Sequence, residues 1–189
     1  AANTLVLAGS NALVALGPIT AGVINASIMT GGLVMQSAAA SGVTAITGGS
    51  GHDTLVGDAS STISGGAGND AITGGAENDV LNGDAGNDTI SGGGGNDTMS
   101  GGAGNDSLTG GVGADSVSGG DGNDIINVAA GNDTVDAGAG NDTITAGPGT
   151  DNITAGDGDD RVLMDGELTS ADIVSGGAGN DTLVISAGV

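Results

Sequence analysis

One nine-residue unit is repeated eleven times without a gap between residues 65 and 163, and this repeat constrains the fold more than any other feature. Its first copy reads GGAGNDAIT over residues 65–73. The sixth place holds Asp in every copy, and the eighth place is always Ile, Leu, Val or Met. A fixed short period is typical of a solenoid, in which each unit buries its apolar residue only by stacking on its neighbours. The sequence therefore predicts one continuous all-β solenoid.

Each unit divides into a six-residue turn and a three-residue strand. Because side chains alternate along a strand, the eighth place faces inward while the seventh and ninth face outward. Two units make one coil, so aspartates on the same edge are eighteen residues apart in the regular region. The first predicted edge carries Asp53, Asp70, Asp88, Asp106, Asp124, Asp142, Asp160 and Asp181. The second predicted edge carries Asp79, Asp97, Asp115, Asp133, Asp151 and Asp172.

The composition restricts both the core and the partners of the chain. It contains 42 Gly and no Phe, Tyr, Trp, Cys or Lys, so it lacks large side chains for a conventional two-layer core. The formal net charge is −22, with Arg161 as the single cation. Nucleic acids and anionic membranes are bound through Lys and Arg, so we expect neither partner. No apolar run reaches the roughly 18 residues of a membrane span.

The aspartate edges predict a metal site. Stacked carboxylates about 4.8 Å apart repel one another unless a cation lies between them. The available ligands are carboxylate and carbonyl oxygens, which favour a hard dication, and Ca²⁺ tolerates an irregular shell better than Mg²⁺ does. Seven gaps on the first edge and five on the second predict about twelve Ca²⁺ ions, whose charge would nearly cancel the formal charge of the chain. We expect the chain to unfold without calcium.

The repeat resembles the RTX nonapeptide pattern G-G-x-G-x-D-x-U-x, in which U is a large aliphatic residue. The resemblance implies a right-handed parallel β-roll (β-solenoid) with calcium ions in the stacked turns. It also implies that carbonyl groups of the glycine-rich turns complete each calcium shell. The glycines predicted as backbone ligands on this basis are Gly74, Gly83, Gly86, Gly92, Gly95, Gly101 and Gly104.

The sequence divides into an uncharged N-terminal segment, residues 1–47, and a calcium-binding roll, residues 48–189. The segment is either a continuation of the solenoid or a small β cap. Counting back by nine, with one residue missing, predicts Ile46, Ser37, Ile28 and Ile19 in the inward row of a continued solenoid. An insertion near residues 164–172 lengthens one unit of the roll.

Two further departures from the repeat predict local irregularity. The unit at residues 57–64 is one residue short and has Ser61 where Asp belongs, which predicts a weakened or missing metal site. Val128 and Ala129 replace the two leading glycines of their unit, although Gly in such turns usually supplies a positive φ. The fifth place, which includes His52, is interpreted as variable and solvated.

The sequence favours a structural role over an enzymatic one. Ser50, His52 and Asp53 are too close in one tight turn to form a convergent catalytic triad. The leading hypothesis is an extracellular building block of a bacterial surface layer or filament, made rigid by calcium. We expect it to form homo-oligomers through end-to-end contacts and to bind cell-surface polysaccharide through calcium. The alternative is a calcium-folding and export module of a larger type I-secreted enzyme or toxin.

Overall fold

The computed structural model describes residues 4–10, 13–15, 22–36, 44–166 and 168–187, and these residues form strands and turns. Within these ranges no helix is long and apolar enough to span a membrane. The twenty described strands are β1 (Thr4–Gly9), β2 (Leu13–Ala15), β3 (Val23–Met29), β4 (Leu33–Gln36), β5 (Ala45–Gly49), β6 (Thr54–Val56), β7 (Thr62–Ala67), β8 (Ala71–Gly75), β9 (Val80–Ala85), β10 (Thr89–Gly94), β11 (Thr98–Ala103), β12 (Ser107–Val112), β13 (Ser116–Asp121), β14 (Ile125–Ala130), β15 (Thr134–Ala139), β16 (Thr143–Ala146), β17 (Asn152–Asp157), β18 (Arg161–Gly166), β19 (Ile173–Ala178) and β20 (Thr182–Ala187).

The strands build two parallel ten-stranded sheets. Odd-numbered strands form one sheet and even-numbered strands form the other, so the chain crosses between sheets at every turn. In the regular region Ile90 pairs with Ile72 on one side and with Leu108 on the other, which stacks eighth places directly upon one another. The prediction of an all-β parallel solenoid is therefore confirmed.

The core lies between the two sheets and is thin. In the regular coils it consists of the eighth-place side chains and, where the first place is not Gly, of a small residue such as Ala137 or Ala155. Seventh-place side chains are exposed or half-buried, which matches the predicted alternation. The buried eighth-place residues of this region are Ile72, Leu81, Ile90, Met99, Leu108, Val117, Ile126, Val135, Ile144, Ile153 and Val162.

The described N-terminal strands extend both sheets, but their repeat is longer than predicted. Leu5 pairs with Ile24 and Ile24 with Ile46, which are intervals of 19 and 22 residues. The prediction that Ile28 faces inward is wrong, because this side chain is 63% exposed while Met29 is buried. The cause is an irregularity between β1 and β3 that shifts the pairing after Val6. Ser37 and Ile19 lie outside the described residues.

The C-terminal insertion is absorbed in the turn between β18 and β19. The backbone N–H of Asp151 still reaches Asp172, and that of Asp160 still reaches Asp181, although each pair is separated by 21 residues. β19 then pairs in register with β17, and β20 with β18. The extra residues therefore leave the sheet order unchanged.

Candidate metal centre

Each edge of the roll carries a continuous ladder of aspartates joined by hydrogen bonds. In each rung the backbone N–H of one Asp donates to Oδ1 of the Asp one coil later, at 2.7–3.1 Å. The first ladder joins Asp53, Asp70, Asp88, Asp106, Asp124, Asp142, Asp160 and Asp181 in that order. The second ladder begins at Ser61 and joins Asp79, Asp97, Asp115, Asp133, Asp151 and Asp172. The two edges contain the residues that the eighteen-residue spacing predicts.

The position of each Asp at the end of a turn explains the ladder. The Asp precedes the strand, so its backbone is already in register with the neighbouring coil. The carbonyl group of Asp70 accepts the N–H of Thr89, and that of Asp88 accepts the N–H of Ser107, both at 2.8 Å. Each Asp thus contacts the next coil through its N–H and its carbonyl oxygen. These contacts keep the Asp side chains of the regular coils buried beneath their turns.

The second carboxylate oxygen, Oδ2, is the unusual feature of these ladders. In ten aspartates this atom is buried and has no hydrogen-bond donor among the described residues. Buried polar atoms are normally hydrogen-bonded, and an isolated buried carboxylate is strongly unfavourable. The ten are Asp70, Asp79, Asp88, Asp97, Asp106, Asp115, Asp124, Asp133, Asp142 and Asp160. Two parallel rows of unpaired anionic oxygens therefore lie inside the turns.

The ladder raises the pKa of its carboxyl groups. Loss of water around Asp88, Asp124 and Asp133 raises the pKa of each to about 6, and neighbouring ladder carboxylates contribute to the rise. The backbone N–H donated to Oδ1 acts in the opposite direction and offsets part of the effect. Burial also raises the pKa of Asp70, Asp79, Asp97, Asp106, Asp115, Asp142 and Asp151. The roll therefore favours either a proton or a cation at these positions.

The residues present fit calcium. Among the described residues no three His, Cys, Asp or Glu side chains converge, so a site built from side chains alone is not formed. The carboxylate oxygens instead lie beside backbone carbonyl groups, and an all-oxygen set of this kind suits a hard cation such as Ca²⁺. When bound, calcium would give the unpaired Oδ2 atoms a positively charged partner.

The predicted glycine ligands occupy two kinds of position. A Cβ at Gly83 would overlap both Asp88 Oδ2 and the carbonyl oxygen of Gly101, so these two oxygens face the same point. The carbonyls of Gly83 and Gly92 are placed in the same way beside Asp70 Oδ2 and Asp79 Oδ2, whereas that of Gly74 faces Gly57 and Ser61. These four glycines are in the first place of their units.

Gly86, Gly95 and Gly104 are in the fourth place, where φ is 133°, 101° and 139°. A Cβ at Gly104 would overlap the carbonyl oxygen of Gly86, so this carbonyl points at the fourth place of the next coil. The positive φ and the close approach together explain why this place requires Gly. Their role as calcium ligands remains a prediction.

Fifth-place side chains form a further set of hydrogen bonds along both edges, which was not predicted from the sequence. The side-chain Oδ1 of Asn87 accepts the backbone N–H of Asn105, and Asn105 in turn accepts the N–H of Asn123. His52 begins the fifth-place series on the first edge, because its Nδ1 accepts the N–H of Asn69 at 2.7 Å. The frequent Asn in this place was the available signal. Further acceptors in the two edges are Asn69, Asn78, Asn96, Asn123, Asn132, Asn141 and Asp159.

The turn that contains Ser50, His52 and Asp53 directs the three side chains to different partners. Ser50 Oγ donates to the carbonyl of Met29, His52 contacts Asn69, and Asp53 accepts backbone N–H groups. The three side chains therefore have contacts that differ from those of a catalytic triad.

Comparison with known proteins gives the family. A search among curated proteins found no match. A model of the RTX calcium-binding nonapeptide repeat matches residues 45–61, 58–90, 91–126, 100–135, 127–162 and 169–188, which together cover more than half of the chain. The matched ranges contain both aspartate ladders. The chain therefore belongs to the family of RTX calcium-binding nonapeptide repeat proteins.

Proposed function

We propose that this chain is an extracellular structural protein, a rod that calcium makes rigid and that serves as a building block of a bacterial surface layer or filament. The observation that carries the proposal is the pair of unbroken aspartate ladders along the roll. About twelve Ca²⁺ ions, one in each predicted gap, would cross-link successive coils over its length. The proposed role is non-enzymatic, and the separate contacts of Ser50, His52 and Asp53 support this.

End-to-end contact between copies is part of the proposal. Inward-row side chains are partly exposed in the outermost described strands, with Leu5 38%, Leu183 47% and Ile185 56% exposed. The edges of β1, β19 and β20 carry backbone groups that a parallel strand of a second copy can pair with. A head-to-tail contact of this kind does not close on itself and generates a filament or lattice. Carboxylates on the surface could hold polysaccharide through shared calcium.

The experiment is electron microscopy of the purified chain in millimolar calcium, with the double substitution Leu183→Asp and Ile185→Asp as the test. We expect filaments or sheets from the parent chain and dispersed particles from the variant. Val112→Asp is the matched control, since this side chain is 69% exposed in the middle of the roll. Dispersed particles from the parent chain, or equal assembly by all three proteins, would contradict the end-to-end contact.

A second candidate is a calcium-folding and export module of a larger type I-secreted enzyme or toxin. The unpaired buried Oδ2 atoms favour it, because a chain that requires calcium to fold can cross an export channel unfolded and fold outside the cell. The complete gene product distinguishes the two candidates. A catalytic domain in the same product would favour the export module over the building block.

A further inference from the structure

Asp53 and Asp172 differ from the other ladder aspartates because a backbone N–H donates to each of their carboxylate oxygens. Leu33 N–H donates to Asp53 Oδ1 at 2.6 Å, and Gly49 N–H donates to Oδ2 at 2.8 Å. Asp151 N–H donates to Asp172 Oδ1 at 2.9 Å, and Thr169 N–H donates to Oδ2 at 2.6 Å. The Oδ2 atom that is unpaired in ten other aspartates is therefore already bound in these two.

A local change of backbone accompanies each of these extra hydrogen bonds. Gly49 is in the second place of its unit, where Gly66, Gly93 and Gly102 have φ of 107°, 110° and 113°. Gly49 is not among the glycines with positive φ, and its N–H contacts Asp53. At Asp172 the donor is Thr169, which is within the insertion. Both exceptions occur where the chain departs from the regular turn.

The backbone N–H donors reduce the need of the Asp53 and Asp172 carboxylates for a cation. A carboxylate that accepts N–H groups on both oxygens is stabilised in its charged form without a metal ion. A cation at Asp53 Oδ2 would gain less than at an open oxygen, because the Gly49 N–H already supplies a positive partial charge to this atom. At Asp88 Oδ2 a cation would instead neutralise an atom that has no donor.

We propose that the chain contains two kinds of ladder aspartate: calcium ligands with an open Oδ2, and the two backbone-capped residues Asp53 and Asp172, which bind no calcium. This inference rests on the proposed calcium function. It removes the gaps Asp53–Asp70 and Asp151–Asp172 from the twelve predicted ones, which leaves about ten calcium sites. It also makes Asp53 the boundary of a calcium-independent region. The described residues 22–36 and 44–56 lie at that boundary.

The packing at this boundary supports a region that is stable without calcium. Ile24, Leu33 and Met35 are almost completely buried, and residues 1–52 contain no charged side chain except His52 when it is protonated. No row of unpaired carboxylates opposes folding there, because Asp53 is the first Asp of the chain and its oxygens are bound. Hydrophobic burial therefore acts without charge repulsion in these coils.

The test compares Asp53→Asn with Asp88→Asn in the full chain, and Asp172→Asn serves as a second capped position. Calorimetry measures the number of calcium ions bound. Hydrogen–deuterium exchange in chelator measures how fast each backbone amide exchanges in the calcium-free chain. We expect Asp88→Asn to reduce the number of ions. We expect Asp53→Asn and Asp172→Asn to leave that number unchanged, while Asp53→Asn makes the amides of Leu33 and Gly49 exchange about tenfold faster in chelator.

The outcomes separate this inference from the proposed function. A loss of calcium ions from Asp53→Asn as large as that from Asp88→Asn would overturn the two-class assignment. An unchanged ion number in Asp88→Asn would overturn the calcium ladder itself. The parent chain gives an independent check if a variant does not fold. In chelator its residues 22–36 and 44–56 should keep their protection while residues 65–163 lose it, and equal exchange in both regions would contradict the boundary at Asp53.

Discussion

The coils before Asp53 and the coils of residues 65–163 share the same two sheets but are held together differently. The first coils bury more apolar side chains, because β3 and β4 together bury Ile24, Ala26, Met29, Leu33 and Met35. Their repeat varies between 19 and 22 residues. The later coils bury the eighth-place residue of each unit and, in a few units, a first-place residue such as Ala137. Their rungs repeat every 18 residues. The aspartate rungs also form across intervals of 17 and 21 residues, at Asp53–Asp70 and Asp151–Asp172, so the ladder does not by itself impose the period. The regular period of residues 65–163 follows from the uniform nine-residue length of their units.

Removal of calcium should have the largest effect on the difference between these two regions. In chelator we expect the circular dichroism of the chain to lose most of its β signal, because the rows of unpaired Oδ2 atoms repel one another and the core of these coils is thin. Calcium at about 1 mM should restore the signal cooperatively. The coils before Asp53 should supply the residual signal. A β-rich spectrum that is identical with and without chelator would contradict the calcium requirement.

A single ladder substitution should have the next largest effect. Asp106 lies between Asp88 and Asp124 in the first ladder, so Asp106→Ala removes a carboxylate shared by two stacked sites. We expect calorimetry to show about two fewer calcium ions per chain. Asp121→Ala is the matched control because Asp121 is exposed in the third place of its unit. Equal ion numbers in the two variants would show that Asp106 is not a shared ligand.

Much of this organisation could be predicted because one sequence signal specifies it. The Asp of the sixth place and the aliphatic residue of the eighth place predict the strands, the inward row and the membership of both ladders. The outward position of Ile28 could not be predicted, because it results from a pairing irregularity with β1 rather than from the pattern of β3. The hydrogen bond from Gly49 N–H to Asp53 Oδ2 could not be predicted either. It depends on the backbone conformation of one Gly in a unit whose sequence fits the repeat.

The pH dependence should differ between the calcium-free and the calcium-bound chain. The pKa of Asp88, Asp124 and Asp133 in the folded chain is about 6, above the ordinary value of 3.8. A group whose pKa is raised by folding stabilises the fold at low pH, and this contribution is lost as the pH rises through about 6. In chelator we therefore expect more β signal at pH 5 than at pH 7.5. With calcium present, protons compete with the ion, so calcium affinity should fall at pH 5.

A salt control separates the buried carboxylates from the general negative charge of the surface. Salt at about 1 M screens exposed charges but has a weaker effect on buried ones. We expect high salt at pH 7.5 to restore less β signal than a shift to pH 5 without added salt. Equal recovery under the two conditions would assign the effect to surface repulsion instead of to the ladder.

Backbone strain within the calcium-binding coils should have a smaller effect. Ala129 has a φ of 62° at a place where Gly111 and Gly120 have φ of 120° and 115°. A left-handed conformation costs a residue with a Cβ about 1–2 kcal/mol, so we expect Ala129→Gly to raise the free energy of unfolding by about 1 kcal/mol in saturating calcium. Denaturant unfolding measures the change. Ala130→Gly is the control, because its φ is not positive, and it should destabilise the roll slightly.

The smallest effect is expected where the second ladder begins. Ser61 donates its N–H to Asp79 Oδ1 at 2.7 Å, and its Oγ donates to the carbonyl of Ala59. A Cβ at Gly57 would contact both Ser61 Oγ and the carbonyl of Gly74, so the space beside the Ser61 side chain is narrow. The turn is one residue shorter than the others, and the rung from Asp53 to Asp70 on the opposite edge spans 17 residues instead of 18. We therefore expect Ser61→Asp to leave the number of bound calcium ions unchanged. Ser61→Ala should also leave this number unchanged, and loss of the Oγ hydrogen bond should lower the free energy of unfolding by about 0.5 kcal/mol. A gain of one ion in Ser61→Asp would show that the Asp side chain, and not the length of the turn, decides where the calcium ladder begins.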